Sequence, residues 1–336
     1  MFDGDVGLGS EAVKEGSGER LTGGGTAGLS GSDNTLMKQL DPGSEAARDL
    51  ASGRFVIRTM DVTDMRRVPI PWMRDAGWNP GLQDAETFLT ADAEGFLIGE
   101  LEGRPIACVS GVRYDDTFGF MGCYIVDPEF RGRGYGMAVH EAARRHLQGC
   151  VQGGDGVLEN VSKYERIGRV FAYRNARYEG VRRPGLERSS GVVGVGEVSW
   201  DAILRLDREC FPAPRERFLR AWVSQPDATA LAIPDPEDQG RVLGYGVIRA
   251  CFRGWKIGPL FARNATVAEA LFQSLLAGVP DGEPYWLDVA EPNGEGLALA
   301  RRHDLKEVFA TARMYTGPAP RIRLDCVYGV TTFELG

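Results

Sequence analysis

One segment of the chain reads Ile125-Val126-Asp127-Pro128-Glu129-Phe130-Arg131-Gly132-Arg133-Gly134-Tyr135-Gly136. It joins an apolar run over 118–126 to a helical apolar pattern over 134–148, which predicts a strand, a glycine-rich loop and a helix. Glycine lets the backbone approach a ligand closely and adopt positive φ. The free N–H groups at the start of a helix, helped by the helix dipole, bind phosphate oxygens. With its two arginines, the segment over 131–136 has the chemistry of a pyrophosphate-binding loop, called the cradle below.

Two common phosphate-binding motifs fit the cradle poorly. A Rossmann site has its first glycine directly after a strand of a parallel βαβ unit, whereas five residues separate Val126 from Gly132. A P-loop ends in Gly-Lys-Ser/Thr, and the cradle has no such ending. Tight turns join the strands that are predicted before it. These strands form an antiparallel meander over 96–101, 105–114 and 118–126. In the helix that follows, Val139, Ala143 and Leu147 line one apolar face. Further strands are predicted over 156–161 and, at the end of the chain, over 321–335.

The cradle resembles the cofactor loop of the GNAT superfamily of N-acetyltransferases. Those proteins carry Arg/Gln-x-x-Gly-x-Gly/Ala after their fourth strand, and residues 131–136 satisfy every position. The resemblance covers residues 55–180, with a weaker echo over 200–318. It implies that acetyl-coenzyme A lies where the fourth and fifth strands splay apart, with strand-four backbone groups holding the pantetheine and polarising the carbonyl. The implied cofactor-binding residues are Tyr124, Ile125, Val126, Arg131, Gly132, Arg133, Gly134, Tyr135 and Gly136.

The resemblance also implies a catalytic acid. GNAT proteins often have a Tyr four residues before a Gly, and the matching segment here is Tyr164-Glu165-Arg166-Ile167-Gly168, with Arg169 where Phe is usual. The pKa of a phenol, ~10, is close to that of an alkyl thiol. Tyr164 is therefore expected to protonate the thiolate leaving group after an amine attacks the thioester directly. The family's usual Asn seven residues before this Tyr is Val157 here.

The sequence does not single out a general base for the acceptor amine. Some GNAT proteins place a Glu on the fourth strand, but residues 118–126 contain no acid. A water chain to bulk solvent would also serve. The candidate side chains are Glu100, Asp115, Asp116 and Glu159.

A two-domain, largely bacterial group of GNAT proteins resembles the whole chain. The shared segments are Ala76-Gly77-Trp78-Asn79-Pro80, Arg177-Tyr178-Glu179-Gly180 and the ending over 328–336. The loop over 75–82 is implied to wall the acceptor pocket, which makes Trp78 and Asn79 candidate acceptor contacts. Asp288 and Glu291 are candidates for recognising a cationic acceptor, with helix-end capping as the alternative. At the position of the cradle the second domain reads Gly258-Pro259-Leu260-Phe261-Ala262-Arg263-Asn264-Ala265, without the required glycines, so we expect it not to bind coenzyme A.

Composition divides the chain into two domains. Residues 1–52 are rich in Gly, Ser, Asp and Glu and lack hydrophobic periodicity, which predicts a disordered tail with a short helix within 36–50. A linker at 183–197 separates a first domain, 53–182, from a second, 198–336. Their elements follow the same order, which indicates a divergent duplication. The predicted class is α/β (α+β), each domain being a mixed, mostly antiparallel sheet flanked by helices.

The overall composition narrows the possible partners. The 336 residues carry a net charge of −8 and no Lys/Arg-rich run, so no nucleic-acid partner is expected. No run reaches the ~20 apolar residues that cross a bilayer, so no membrane partner is expected. The first residues contain several acids and no apolar core, which favours a cytosolic location. Six cysteines without a C-x-x-C pair, together with three histidines, predict neither a metal site nor a disulfide framework.

The leading hypothesis is therefore an N-acetyltransferase that uses acetyl-CoA as co-substrate and a small-molecule primary amine as acceptor. Two alternatives stay open: a non-catalytic acyl-CoA sensor, and a peptide or protein acetyltransferase, which would need an open groove.

Overall fold

The computed structural model describes Leu36 and residues 38–336. The strands are β1 (Phe55–Thr59), β2 (Phe96–Leu101), β3 (Arg104–Arg113), β4 (Phe118–Val126), β5 (Val151–Val157), β6 (Val170–Val181), β7 (Val193–Gly194), β8 (Ala228–Pro234), β9 (Val242–Ala250), β10 (Trp255–Ala262), β11 (Pro284–Ala290), β12 (Lys306–Tyr315) and β13 (Val327–Gly329). The helices are α1 (Glu45–Ala51), α2 (Val62–Arg67), α3 (Pro69–Asp75), α4 (Asp84–Leu89), α5 (Tyr135–His146), α6 (Val161–Arg166), α7 (Trp200–Cys210), α8 (Glu216–Ser224), α9 (Ala265–Leu276) and α10 (Gly294–Arg302).

The first domain begins with the predicted meander. β1 to β4 pair antiparallel in chain order, and β2 and β4 have the predicted bounds. Helix α5 follows and buries the predicted face of Val139, Ala143 and Leu147. The close approach of α5 to β3 depends on Gly111, since a β-carbon there would lie 3.0 Å from that of Ala143. The strand–loop–helix prediction around the cradle is thus confirmed.

The strand predicted over 156–161 is wrong, because β5 lies earlier, at Val151–Val157. Residues 158–160 instead form a 3-10 turn that leads into α6. The glycines inside β5 resemble a loop in the sequence, but packing requires them. A β-carbon on Gly153 would lie 2.9 Å from the Phe120 ring, and one on Gly154 would lie 3.2 Å from the Arg169 guanidinium.

The two domains share one mixed sheet. Its order in the described residues is β1-β2-β3-β4-β5-β12-β6-β11-β10-β9-β8-β7, with β13 paired to β10. β12 of the second domain lies between β5 and β6 of the first, and β6 pairs on its other side with β11. Each domain therefore completes the sheet of the other. The predicted linker contributes β7 and a 3-10 turn to the second domain.

Buried ion pairs also join the domains. Arg177 on β6 makes a bidentate pair with Asp288 on β11, both contacts at 2.7 Å. Arg249 on β9 pairs with Asp84 at the start of α4, at 3.0 and 3.1 Å, and both side chains are 1% exposed. Because a buried charge without a partner is costly, these pairs fix the register between the domains.

The end of the N-terminal segment packs on the first domain. The predicted short helix is α1, and Ser44 caps it by accepting a hydrogen bond from Ala47 N. Leu36, Leu40 and Leu50 are buried in the same cluster as the apolar face of α5. The disorder predicted for the rest of the tail, residues 1–35 and Met37, lies outside the described residues.

The ending of the chain forms a shorter strand than predicted. Within 321–335, regular pairing is confined to β13, after which the chain turns toward β4. The six cysteines are free and buried. In the described part of the chain, no helix is both long and apolar enough to cross a membrane.

Candidate active site

A cavity of about 930 Å³ opens between β4 and β5. The two strands pair in parallel only from Phe118↔Val151 to Met121↔Gly154. Beyond this point they separate, as the resemblance implies, and both line the cavity. The second domain also contributes to the lining, through β12 and the segment after β13.

A bulge in β4 marks the point of separation. The β3–β4 register shifts between Cys108 and Ser110, and Cys123 has a φ of 47°. Bulges of this kind often stand next to active sites, where they re-aim the backbone. Tyr124, Ile125 and Val126 follow and line the cavity. The structure therefore brings the predicted strand-four residues together at one wall.

The cradle follows at the end of β4. Gly132 and Gly134 have φ values of 74° and 94°, which glycine adopts readily. Gly134 is the N-cap of α5, and no side chain of the described residues caps that helix. Its first N–H groups are thus left for a ligand. Arg131 donates from Nε to Val126 O at 3.1 Å and lines the cavity.

Close packing beneath the cradle excludes larger residues. A β-carbon on Gly136 would lie 2.3 Å from the Tyr124 hydroxyl. Tyr135 points inward: its hydroxyl donates to Asp49 Oδ2 at 2.5 Å and its ring contacts Phe55. Burial raises the pKa of the Tyr135 phenol. The side chain of Tyr135 therefore supports the cradle from below, and any ligand contact would come from its backbone.

Helix α1 supports the cradle from the other side. Ala46 N donates to Arg133 O at 3.2 Å, and a β-carbon on Gly134 would lie 2.9 Å from that of Ser44. The Arg133 guanidinium lies 3.6 Å from the Glu45 carboxylate. The sequence indicated the short helix but not this contact, since nothing local to residues 45–51 specifies the loop that they pack against.

Tyr164 lies on the β5 side of the cavity. Its ring covers Gly156, where a β-carbon would lie 2.3 Å from Cε2. Burial raises the pKa of the Tyr164 phenol, and the nearby Arg169 opposes the shift. Arg169 is 8% exposed, lines the cavity and has no carboxylate partner among residues 38–336; burial lowers its pKa. Tyr164 is thus a protonated phenol beside a cation, an arrangement suited to protonating a thiolate.

The acceptor candidates divide into two groups. Trp78 lines the cavity, and its carbonyl accepts from Arg177 at 3.0 Å and from Lys256 at 2.8 Å. The other three lie outside the lining, and each has a partner elsewhere. Asn79 bonds to the backbone of Arg253 at 2.8 and 2.9 Å, while Asp288 pairs with Arg177 and Glu291 with Arg174. An acceptor role for Asn79, Asp288 and Glu291 is therefore not supported.

Three of the general-base candidates lie away from the cavity. Glu100 pairs with Arg58, Asp115 accepts bonds in its own turn, and Asp116 is exposed beside Arg113. Glu159 lines the cavity but is exposed. Sequence reasoning missed Glu334, a buried carboxylate in the wall. The only signal was its place in the ending shared with two-domain GNAT proteins.

In the second domain, the space that corresponds to the opening between β4 and β5 is filled. β10 and β11 pair in parallel over Trp255–Ile257 and then separate, but β13 pairs with β10 beyond that point. Helix α9 is capped by Asn264, whose side chain accepts from Val267 N at 3.0 Å. Both the slot and the helix start are thus occupied by the protein itself. This geometry supports the expectation that only the first domain binds coenzyme A.

Known proteins share this architecture. The family model described as "Acetyltransferase (GNAT) family" matches residues 60–160, and the one described as "Acetyltransferase (GNAT) domain" matches 203–329. Holothin acyltransferase from Pseudoalteromonas sp. (strain SANK 73390) is 30% identical over 265 residues, which cover 79% of this chain and 89% of the relative. The chain belongs to the GNAT family of acetyltransferases. Within it, this protein is a two-domain acyltransferase.

Solved structures show the same fold. A putative acetyltransferase from Pyrococcus horikoshii superposes with a TM-score of 0.70 at 22% identity, covering 84% of this chain and 96% of its own. A tandem GNAT protein from the clavulanic acid biosynthesis pathway gives a TM-score of 0.53 at 13% identity, covering 79% and 99%. At these identities the likeness establishes the fold alone.

Proposed function

We propose that this protein transfers an acetyl group from acetyl-CoA to the primary amine of a small molecule, with both substrates bound together. One observation carries the proposal: a single cavity joins the strand splay, Arg131 of the cradle and the phenol of Tyr164.

The residues at this site fit the cofactor. The uncapped start of α5 offers backbone N–H donors and a positive dipole end to a pyrophosphate, and Gly134 adds no side chain of its own there. Arg131 adds a cation at the adjoining wall. When bound, acetyl-CoA supplies the thioester that is cleaved. Backbone groups around Tyr124 and Ile125, which line the cavity, would hold its pantetheine arm and polarise the carbonyl.

Tyr164 supplies the acid chemistry. As the carbon–sulfur bond breaks, sulfur leaves with the electron pair and needs a proton. The raised pKa of Tyr164 keeps its phenol protonated at neutral pH. The neighbouring Arg169 favours negative charge that develops on sulfur or on the phenol oxygen.

The shape of the cavity favours a small acceptor over a peptide. Phe309 and Phe333 of the second domain and Trp78 of the first line it, so both domains wall the cavity. An extended peptide would need an open groove at this place. The apolar character of these three side chains suits an amine that carries an apolar or aromatic body.

The test is a screen of the full-length protein with acetyl-CoA and a library of amines, in which free thiol is measured and acetylated products are identified by mass spectrometry. We expect amine-dependent thiol release above the rate without amine. Calorimetric binding of acetyl-CoA without turnover of any amine would indicate a sensor instead. Turnover confined to peptides would indicate a protein acetyltransferase.

A further inference from the structure

We propose that Glu334, contributed by the second domain, is the general base that removes a proton from the acceptor ammonium; this inference rests on the function proposed above. The first domain would then bind the cofactor and supply the acid, while the second supplies the base.

The position of Glu334 is the first argument. The residue is 5% exposed and lines the cavity. Its backbone lies against Gly122, because a β-carbon on that glycine would be 3.2 Å from Glu334 Cα. Gly122 is the first residue of β4 beyond its last pair with β5, Met121↔Gly154. Glu334 therefore stands where the two strands begin to separate.

The other acids of the cavity wall are the second argument. Asp155 makes a bidentate pair with Arg313 at 2.9 and 2.7 Å. Asp127 bonds to Arg104, and Asp75 is exposed beside Arg74. Glu159 is exposed on the β5 side. None of these four is both buried and free of a cationic partner.

Glu334 differs from them in its bonding. Thr332 donates its hydroxyl to one carboxylate oxygen of Glu334. Across residues 38–336, no cation lies within salt-bridge distance of Glu334, and its other carboxylate oxygen has no hydrogen-bond partner. Glu334 lines the cavity, and this unpaired oxygen is not among the fully buried side-chain atoms without a partner in the described residues, so it is accessible. Because carboxylates bind ammonium groups through such oxygens, Glu334 is suited both to hold the acceptor and to take its proton.

Charged and titratable groups face Glu334 from four strands. Arg177 on β6, Arg249 on β9, Lys256 on β10 and the Cys123 thiol on β4 all interact with it electrostatically. The two arginines are already neutralised by Asp288 and Asp84. Lys256 makes no salt bridge in the described residues, and burial lowers its pKa. Lys256 therefore attracts Glu334 without a direct ion pair, and the carboxylate keeps an oxygen for the acceptor.

The acid and the base face the same cavity from opposite strands. Tyr164 covers Gly156 on β5, and Glu334 lies beside Gly122 on β4. The ammonium loses one proton to Glu334, and the neutral nitrogen then attacks the thioester carbon. As the carbon–sulfur bond breaks, sulfur keeps the electron pair and takes the phenol proton of Tyr164. The proton shed by the new amide nitrogen restores the phenol, and Glu334 releases its own proton to solvent.

The test compares Glu334→Gln with Asp116→Asn, a matched loss of one carboxylate at an exposed turn. We expect Glu334→Gln to lower kcat about 100-fold or more, as is typical when a general base is lost, with the calorimetric affinity for acetyl-CoA unchanged. Its kcat/KM should lose the acidic limb of the wild-type pH profile. Glu334→Asp keeps a carboxylate and should retain that limb at a reduced rate. Asp116→Asn should match the wild type.

A second readout separates a base from a structural carboxylate. Acceptors of low basicity are already neutral at pH 7, so the defect of Glu334→Gln should shrink as the pKa of the amine falls. Two results with an active wild type would overturn the base assignment alone. In the first, Glu334→Gln turns over as fast as the wild type. In the second, Glu334→Gln is slowed by the same factor with every amine and keeps the acidic limb of the pH profile. A wild type that acetylates no amine overturns the proposed function, and the base with it.

Discussion

The backbone carbonyl of Glu334 lies so close to Gly122 that a β-carbon on this glycine would come within 2.1 Å of the oxygen. The second domain repeats the relationship at Gly258, where a β-carbon would lie 2.4 Å from Thr331 O. Each glycine stands where a parallel strand pair begins to separate. The same C-terminal segment therefore contacts both separation points.

Gly122→Ala is expected to displace the C-terminal segment, because its new methyl group would overlap the Glu334 carbonyl. Overpacking of this kind costs about 1–3 kcal/mol of stability. The fall in kcat should be larger than the loss of folded protein explains, because the Glu334 carboxylate moves with its backbone. Kinetics and thermal unfolding of the same preparation measure the two effects. Gly196→Ala is the control, because a β-carbon there would meet no atom of the described residues within 4 Å. Equal turnover for the two variants would contradict the prediction.

Gly134→Ala should lose affinity for acetyl-CoA, since a side chain would enter the uncapped start of α5 and press on Ser44. Gly149 provides a matched control: it has the same φ of 94°, and a β-carbon there would meet no atom within 4 Å in the part of the chain that the structure describes. Both alanines carry the left-handed backbone cost of roughly 1–2 kcal/mol. Calorimetry should find weaker binding for Gly134→Ala only. Equal affinity of the two variants would exclude the cradle as the pyrophosphate site.

Tyr164→Phe should lower kcat by about 10²-fold or more while leaving acetyl-CoA affinity nearly unchanged. Because burial raises the pKa of this phenol, the protonated form persists above the ordinary value of ~10. Wild-type activity should therefore decline on the alkaline side only above that value, and the variant should lack this decline. pH–rate profiles of the wild type and of Tyr164→Phe measure this alkaline decline. Turnover by Tyr164→Phe at the wild-type rate would show that another group protonates the thiolate.

Asp84→Asn should destabilise the protein by about 3–5 kcal/mol, because it leaves the buried guanidinium of Arg249 without its counter-charge. Urea unfolding measures the loss of free energy. Asp304→Asn is the control: it breaks the Arg183–Asp304 pair, whose side chains are 71% and 65% exposed, and should cost less than about 1 kcal/mol. A similar loss of unfolding free energy in the two variants would mean that the buried Arg249–Asp84 pair does not stabilise the contact between the domains.

Local patterns predicted much of the first domain. Alternation and turns specified β2 and β4, and the helical face of Val139, Ala143 and Leu147 specified α5. The prediction of β5 failed because Gly153 and Gly154 are typical of a loop unless their neighbours are known. Those neighbours, Phe120 and Arg169, lie elsewhere in the chain.

Long-range pairing was beyond the reach of the sequence. Nothing local to β6 or β12 specifies that each inserts between strands of the other domain. The predicted acceptor side chains Asp288 and Asn79 proved to bond across the domain interface. Glu334 was missed for the same reason, since its relation to Gly122 exists only once the chain has folded back.

The placement of β13 has a consequence for how such a protein could have evolved. The segment around Val327–Gly329 occupies in the second domain the slot that the pantetheine arm is proposed to occupy in the first. If both copies in an ancestral duplication bound the cofactor, the chain itself replaced one of the two molecules. The residues that follow β13 then reach the surviving site. On that view, the segment that closed one site continues into the wall of the other, and a gene for the first domain alone would lack this part of the wall.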